Sequence, residues 1–261
     1  MIDEQSASQT GRRERLQEEQ YDFPYHYIPV LRGNDYSQTQ YYPWGHRYLG
    51  RLQIVFEILD GLPFRSLVDV GCGDGRFLRD VDRRYSGRTL LGIDLSARAI
   101  AWARGMNPNL AFEERDITVA PLEGEHDVVT LLDVIEHVPP ASLPALLAAA
   151  AVALRPDGHL IITVPSAHMP LDAKHYQHFD RHALDALLAG AFSHRRYIPF
   201  DGKRILPWLL WAAMGGSGRH YVVTSRLVSN LLMRCYRKWS LHDTQESRCQ
   251  RLACVARRAD A

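Results

Sequence analysis

A glycine-rich loop is the first part of this sequence whose residue types and spacing could do chemistry. In the stretch VDVGCGDGRFL, small or acidic residues alternate after an apolar strand at Asp69, Gly71, Gly73 and Gly75. Glycines let the backbone turn sharply and approach a ligand without an intervening Cβ atom. A dinucleotide fingerprint requires Gly or Ala five residues after the first glycine, but Arg76 stands there. The loop therefore disfavours a pyrophosphate ligand.

Two further aspartates lie at the ends of the next two predicted strands. Asp94 ends the second strand. Its distance along the chain from the glycine loop is the distance at which an acidic side chain can accept hydrogen bonds from both ribose hydroxyls. Asp116 ends the third strand, within reach of an adenine amino group, although a lone aspartate there could equally be a cap. Three acids at successive strand ends, counting Asp69, are hard to explain as caps. Together they predict an adenosine-containing ligand without pyrophosphate, which is S-adenosylmethionine (SAM).

The chain resembles the class I SAM-dependent methyltransferases over about residues 46–200. The resemblance is carried by the stretches VDVGCGDGRFL, LLGIDLSARAI, FEERDI, VVTLLDVIEHV and LRPDGHLIITVPS. It implies an α/β fold with a Rossmann-like, seven-stranded, mainly parallel sheet whose last strand is antiparallel. A further stretch, VPSAHMPLDAKHYQHFDR, resembles bacterial type 11/12-like methyltransferases of glycan and natural-product pathways.

The resemblance also implies which residues hold the cofactor. The glycine loop would meet the methionine amino group with backbone carbonyls, and Asp69 would order that end. Asp94 would hold the ribose, and Asp133, which ends the fourth strand, would face the methionine moiety or the acceptor. The expected cofactor-binding residues are Asp69, Gly71, Cys72, Gly73, Gly75, Asp94, Leu95, Asp116, Ile117 and Asp133.

The candidates for acceptor chemistry lie in DVIEHVPP and KHYQHFDRH. Glu136 and His137 follow the fourth strand, at the cofactor end of the sheet, and His175 and His178 follow the fifth. A hydroxyl acceptor gains about 10²–10⁴-fold from a general base, and neutral histidine suits proton removal near pH 7. His137 is the favoured base, with shaping of the acceptor pocket as the alternative. A loop-structuring role is the alternative for His175 and His178.

A divalent metal is considered and not favoured. Asp133, Glu136, His137 and a later histidine resemble the two-acid, two-histidine site of the small-RNA 2′-O-methyltransferases. Such a metal would lower the pKa of the acceptor hydroxyl. That family, however, has Glu at the position of Asp133, whose side chain is one methylene shorter.

The pattern divides the chain into four parts. Residues 1–45 are expected to be disordered with an aromatic lid segment, and residues 46–201 to form the SAM-binding core. Residues 202–248 are expected to form a helical insertion that covers the acceptor or dimerises. Residues 249–261 complete the core with its final strand.

Secondary structure is predicted by the alternation of strand and helix patterns. Strands are expected over 66–70, 89–94, 110–116, 127–133, 159–165, 195–200 and 249–258. Helices are expected over 46–59, 76–84, 96–105, 142–154 and 181–191. The sequence RPDG (155–158) predicts a turn between the fourth of these helices and the fifth strand.

Charge and composition limit the partners. Lys and Arg number 31 against 30 Asp and Glu, so the net charge of +1 does not favour a nucleic-acid partner. Residues 203–261 nevertheless hold 11 basic and 3 acidic residues. This basic segment could be a solvated helix, or it could contact a membrane peripherally, a lipid-linked glycan or a second copy of the chain in a homodimer. The polar N-terminus, the absence of a long apolar run and four cysteines without a CxxC pair predict a cytoplasmic protein.

The leading hypothesis is O-methylation of a hydroxyl on a sugar, glycan or other secondary metabolite. The alternatives are N-methylation of a small amine, RNA 2′-O-methylation with a metal, and a non-catalytic SAM-binding subunit that serves a partner.

Overall fold

A computed structural model describes residues 11–13, 15, 30–32, 35–37, 42–122, 126–202, 226–242 and 244–259. The strands are β1 (Val30–Arg32), β2 (Asp35–Ser37), β3 (Ser66–Val70), β4 (Thr89–Asp94), β5 (Ala111–Glu114), β6 (His126–Leu132), β7 (Leu154–Pro165), β8 (Phe192–Gly202) and β9 (Cys249–Arg258). The longer helices are α1 (Tyr42–Asp60), α2 (Arg76–Arg84), α3 (Ala97–Met106), α4 (Leu143–Ala153), α5 (Arg181–Leu188) and α6 (Arg226–Tyr236). Short helical turns cover Ile135–His137, Pro140–Ser142, Arg237–Leu241 and Glu246–Arg248.

Seven strands form one sheet in the order β5-β4-β3-β6-β7-β9-β8. The pairs from β5 to β7 are parallel, whereas β9 runs antiparallel to both β7 and β8. The predicted seven-stranded, mainly parallel α/β sheet with an antiparallel last strand is therefore confirmed. Parallel strands connected by helices place their carboxyl ends at one edge, which is where such sheets bind ligands.

Both faces of the sheet are covered, so its central strands are almost continuously apolar. Along β3, Leu67 packs into one hydrophobic core and Val68 into the other. The first core includes α1, α2 and α6, and the second includes α4 and α5. The described part of the predicted insertion therefore contributes helix α6 to the first core, through Leu232, Met233 and Tyr236.

Several element bounds differ from the predictions. Helix α1 begins at Tyr42 rather than at residue 46. The predicted turn at 155–158 is wrong, because those residues lie within β7. There the pairing with β6 shifts between His126 and Val128, and Asp157 adopts a φ of 64°. Residues 155–158 therefore form a bulge inside β7, whereas the sequence predicted a turn that precedes this strand.

The N-terminal segment is only partly described. Residues 11–13 are helical, and β1 and β2 form an antiparallel pair that the sequence did not predict and that lies against α6. Within the expected aromatic lid segment and the expected insertion, residues 16–29 and 203–225 lie outside the described residues. In the described part of the chain, every helix is too short or too polar to cross a membrane.

Candidate active site

A cavity of about 450 Å³ opens at the carboxyl edge of the sheet. It lies where four neighbouring strands end and is bordered by the residues that follow β3, β4, β5 and β6. The predicted site residues that line it are Gly71, Asp94, Leu95, Asp116, Ile117, Asp133 and His137. Residues far apart in the sequence are thereby brought together as the parallel topology predicts.

The glycine loop is held close to the next strand. The backbone amides of Gly71 and Cys72 both donate to the Ile93 carbonyl, at 2.7 and 3.0 Å. Gly71 has a φ of 78°, and a Cβ on it would lie 2.4 Å from a methyl group of Val134. Both the backbone conformation and the space therefore require glycine, which keeps backbone at the cavity wall.

The other predicted loop residues lie behind the cavity lining. Cys72 is buried in the hydrophobic core. A Cβ on Gly75 would lie 2.7 Å from the Phe112 ring, so this glycine serves close packing. Asp69 is buried and accepts a 2.6 Å hydrogen bond from the Thr130 hydroxyl. Burial raises the pKa of Asp69 to about 7 despite that bond.

Asp94 links the end of β4 to the glycine loop. One carboxylate oxygen accepts from the Gly73 amide and the other from the Ser96 amide, both at 2.9 Å. Leu95 is 69% exposed and forms part of the cavity wall. The exposed leucine offers an apolar platform beside a carboxylate, as expected for an adenosine site.

Asp116 lies two residues beyond the end of β5 and borders the cavity. One of its oxygens accepts from the amide and the hydroxyl of Thr118, at 2.8 and 2.6 Å. Asp116 therefore does stabilise a turn, the alternative that its sequence position left open. It does so within the lining of the same cavity, next to the buried Ile117.

Asp133 has two arginine partners that the sequence did not reveal. Arg51 of α1 and Arg251 of β9 both form ion pairs with its carboxylate, and the Thr163 hydroxyl donates at 2.9 Å. Burial alone would raise the pKa of Asp133, but Arg251 and Arg51 hold it well below its usual range. Isolated arginines in distant elements carry no local pattern from which this pairing could be read.

Glu136, His137 and His175 form a cluster beside the cavity, with potential ligand atoms within 4.8 Å of one another. Glu136 is 1% exposed, and its Oε2 atom has no hydrogen-bond partner among the described residues. Burial, followed by the charge of Asp133, raises the pKa of Glu136 to about 8. Burial and the neighbouring negative charge therefore both favour the protonated form of this carboxyl.

Backbone carbonyls assign the tautomers of His178 and His137, and His178 in turn assigns that of His175. Nδ1 of His178 lies 3.2 Å from the Met169 carbonyl, which can only accept, so we assign a proton to that nitrogen. The Nε2 atom of His178 must then accept from Nδ1 of His175, at 2.7 Å. Nδ1 of His137 lies 3.4 Å from the Lys174 carbonyl, which leaves its Nε2 atom unprotonated.

His137 is the member of this cluster that lines the cavity. Burial, followed by the charge of Lys174, lowers the pKa of His137 to about 4, so its ring is neutral at pH 7. The ring of His175 packs edge-on against it, with centroids 4.6 Å apart. His175 itself has a pKa lowered to about 3, chiefly by burial.

Cations that the sequence did not reveal also border the cavity. Arg13, Arg115 and Lys174 contribute to the lining. The Arg13 guanidinium lies over the Tyr176 ring, 4.5 Å from its centroid. Arg13 belongs to the segment expected to be disordered, whose sequence carries no signal for this contact.

Comparisons with known proteins agree with this geometry. Residues 45–213 match the sequence model of a family described as a methyltransferase domain. A ubiquinone biosynthesis O-methyltransferase of Alkalilimnicola ehrlichii is 38% identical over 120 residues, which is 43% of this chain and 47% of that protein. A trans-aconitate 2-methyltransferase of Deinococcus radiodurans is 36% identical over 107 residues, or 41% of this chain and 40% of that protein. The matched part is thus less than half the length of either curated relative.

Solved structures share the fold at low sequence identity. A SAM-dependent methyltransferase from Archaeoglobus fulgidus has a TM-score of 0.56 and 19% identity, covering 81% of this chain and 94% of its own. The N-methyltransferase NodS of Bradyrhizobium japonicum has a TM-score of 0.55 and 12% identity, covering 82% and 88%. The fold is therefore that of the class I SAM-dependent methyltransferases.

Proposed function

The chain belongs to the methyltransferase-domain family, and from that premise we propose that it methylates a hydroxyl of a small acceptor with SAM. The acceptor class we favour is a sugar, a glycan or another secondary metabolite. The observation that carries the proposal is the position of His137, a neutral imidazole in the same cavity as Asp94 and Asp116.

The residues of the cavity fit SAM. Gly71 keeps side-chain atoms away from the wall, Leu95 offers an exposed apolar face for adenine, and Asp94 offers carboxylate oxygens for ribose hydroxyls. When bound, SAM supplies an electrophilic methyl group on a sulfonium. Because transfer is an in-line displacement, much of the acceleration comes from holding the acceptor in line.

His137 supplies the base in this proposal. Its Nε2 atom is unprotonated, because Nδ1 faces the Lys174 carbonyl, and it takes the hydroxyl proton as the oxygen attacks. Glu136 is less suited to that task, since its carboxyl retains a proton near pH 7. His175 packs edge-on against the His137 ring, and His178 in turn accepts a hydrogen bond from His175.

The names of the two curated relatives, an O-methyltransferase and a trans-aconitate methyltransferase, favour an oxygen acceptor over nitrogen. The cations Arg13 and Lys174 in the lining extend the acceptor class to hydroxyl compounds that also carry a negative charge. N-methylation of a small amine remains the rival within the same fold.

The test is a His137→Asn variant assayed by release of S-adenosylhomocysteine with a panel of hydroxylated acceptors. We expect kcat to fall by about 10²–10⁴-fold while SAM affinity stays within twofold or so. A matched control is His182→Asn, which removes an exposed imidazole on α5. If His137→Asn keeps full activity on the acceptor that the wild type uses, His137 does not activate a hydroxyl. That result would favour the alternative hypothesis of N-methylation.

A metal-assisted route is less well supported, although three potential ligands cluster at Glu136, His137 and His175. The fourth expected ligand, Asp133, is engaged by two arginines and a threonine. Among the described residues, the cluster of potential ligands does not include Asp133. We expect activity to persist after exhaustive EDTA treatment, and restoration of a lost activity by Mn²⁺ would contradict this.

A further inference from the structure

Helix α6 and the turn that follows it present an exposed face of leucines and a tryptophan. Leu227 is 83% exposed, Leu231 is 56% exposed, and Trp239 in the following turn is 38% exposed. Large apolar side chains at such exposure are costly in water when they lie together. A solvated helix face would place polar residues at these positions.

The exposed residues share one side of the helix. Leu227, Leu231 and Arg234 are spaced by four and three residues, so they form a single stripe. Arg234 and Lys238 are exposed together with these leucines. The opposite side is buried in the core through residues such as Leu232 and Tyr236, so the stripe cannot turn inward.

This segment is also strongly basic. Residues 226–242 contain four basic residues and no Asp or Glu, in a chain whose net charge is only +1. The cations are Arg226, Arg234, Arg237 and Lys238. The Lys238 ammonium lies 5.8 Å from the Trp239 ring centroid. Exposed leucines with lysine and arginine on a helix, followed here by an exposed tryptophan, are the composition of segments that lie in a membrane interface.

Charge complementarity distinguishes between three possible partners of this face: a second copy of the chain, nucleic acid and an anionic membrane. A second copy of this chain would bring two segments of like charge together in a symmetric contact, which is unfavourable. Nucleic acid would match the cations but would leave the leucines without apolar partners. A surface of anionic phospholipid matches both features, because headgroups attract the cations and the acyl boundary accepts the leucines.

We therefore propose that residues 226–242 dock this protein peripherally on anionic membranes, through Leu227, Leu231 and Trp239 with Arg234 and Lys238 beside them. This goes beyond methyl transfer and does not depend on it, since none of these residues lines the cavity described above.

The experiment measures sedimentation of the full chain with vesicles of phosphatidylcholine alone and of phosphatidylcholine mixed with phosphatidylglycerol. We expect binding to the mixed vesicles only, weakened by added salt. Arg234→Glu with Lys238→Glu should weaken binding by at least about fivefold per cation. Leu227→Ser with Leu231→Ser should weaken it to a similar degree without lowering the melting temperature, because both leucines are exposed.

The matched control carries the same change of charge elsewhere, Arg83→Glu with Arg88→Glu, both exposed outside α6. Equal loss of binding in the control and in the α6 variant would overturn the proposal, as would equal binding to both vesicle types. A concentration-dependent dimer that Leu227→Ser with Leu231→Ser dissociates, without vesicle binding, would assign the face to a second copy instead. SAM binding measured in parallel separates this outcome from any failure of the proposed activity.

Discussion

Removal of the Asp94 carboxylate tests the cofactor assignment most directly. The carboxylate accepts from two backbone amides, of Gly73 and Ser96, and borders the cavity where ribose is expected. A hydrogen bond to a charged group contributes about 1.5–3 kcal/mol, so two ribose hydroxyls would contribute roughly 3–6 kcal/mol. Loss of both would weaken SAM binding by roughly 10²–10⁴-fold.

The substitutions Asp94→Ala and Asp94→Asn separate binding from local structure. Asparagine keeps the shape but offers one oxygen to two amide donors, so one donor is left facing an NH₂ group. We expect that mismatch to lower the free energy of unfolding by about 1–3 kcal/mol. Alanine removes both acceptors and should lower it by at least as much.

Isothermal titration with SAM and with S-adenosylhomocysteine measures affinity, and thermal unfolding measures stability. A matched control is Glu114→Ala, since Glu114 is paired in register with Asp94 on the adjacent strand but lies outside the cavity lining. If folded Asp94→Ala binds both ligands as tightly as the wild type, the ribose assignment is refuted. A similar loss in Glu114→Ala would indicate a general effect of charge instead.

Other substitutions test the loop and the acid cluster. In urea unfolding, Gly71→Ala should lose at least about 1–2 kcal/mol of stability, because alanine is strained in the left-handed conformation of this residue. Adding Val134→Ala should recover only the further loss that comes from steric overlap with Val134. For Glu136, the folded pKa of about 8 exceeds the unfolded 4.5, so this residue makes stability fall as pH rises between these values. Glu136→Gln should reduce that slope, most clearly between pH 7 and 8, above the range in which buried Asp69 contributes a slope of the same sign. An unchanged slope would contradict burial of the acid. The acidic limb of kcat/KM should lie near pH 4 rather than 6.5 and should vanish in His137→Asn, whereas a limb at 6.5 would mean a different base. Asp133→Asn should cost about 3–5 kcal/mol in urea unfolding because it removes the negative charge that neutralises two partly buried arginines, and a loss below about 1 kcal/mol would show the ion pairs to be unimportant.

Local sequence was sufficient to predict the strands of the sheet and to place most of the candidate cofactor residues at one edge of it. Continuous apolar runs identify the parallel strands in the sequence. The residues that directly follow these strands must then lie at the same edge of the sheet. Gly71, Asp94 and Asp116 could therefore be assigned to one cavity from spacing alone. The same reasoning failed at residues 155–158, because the local pattern of a turn and of a bulge inside a strand is the same.

Only the tertiary structure decided the electrostatics around Asp133, Glu136 and His137. Whether Glu136 keeps its proton depends on burial and on the charge of Asp133 nearby, and neither can be read from the EH dipeptide. The pairing of Asp133 with Arg51 and Arg251 joins α1, the end of β6 and β9, which are separated by most of the chain. Spacing along a strand determines which residues share an edge, whereas the pKa of each depends on charges and burial contributed by distant elements.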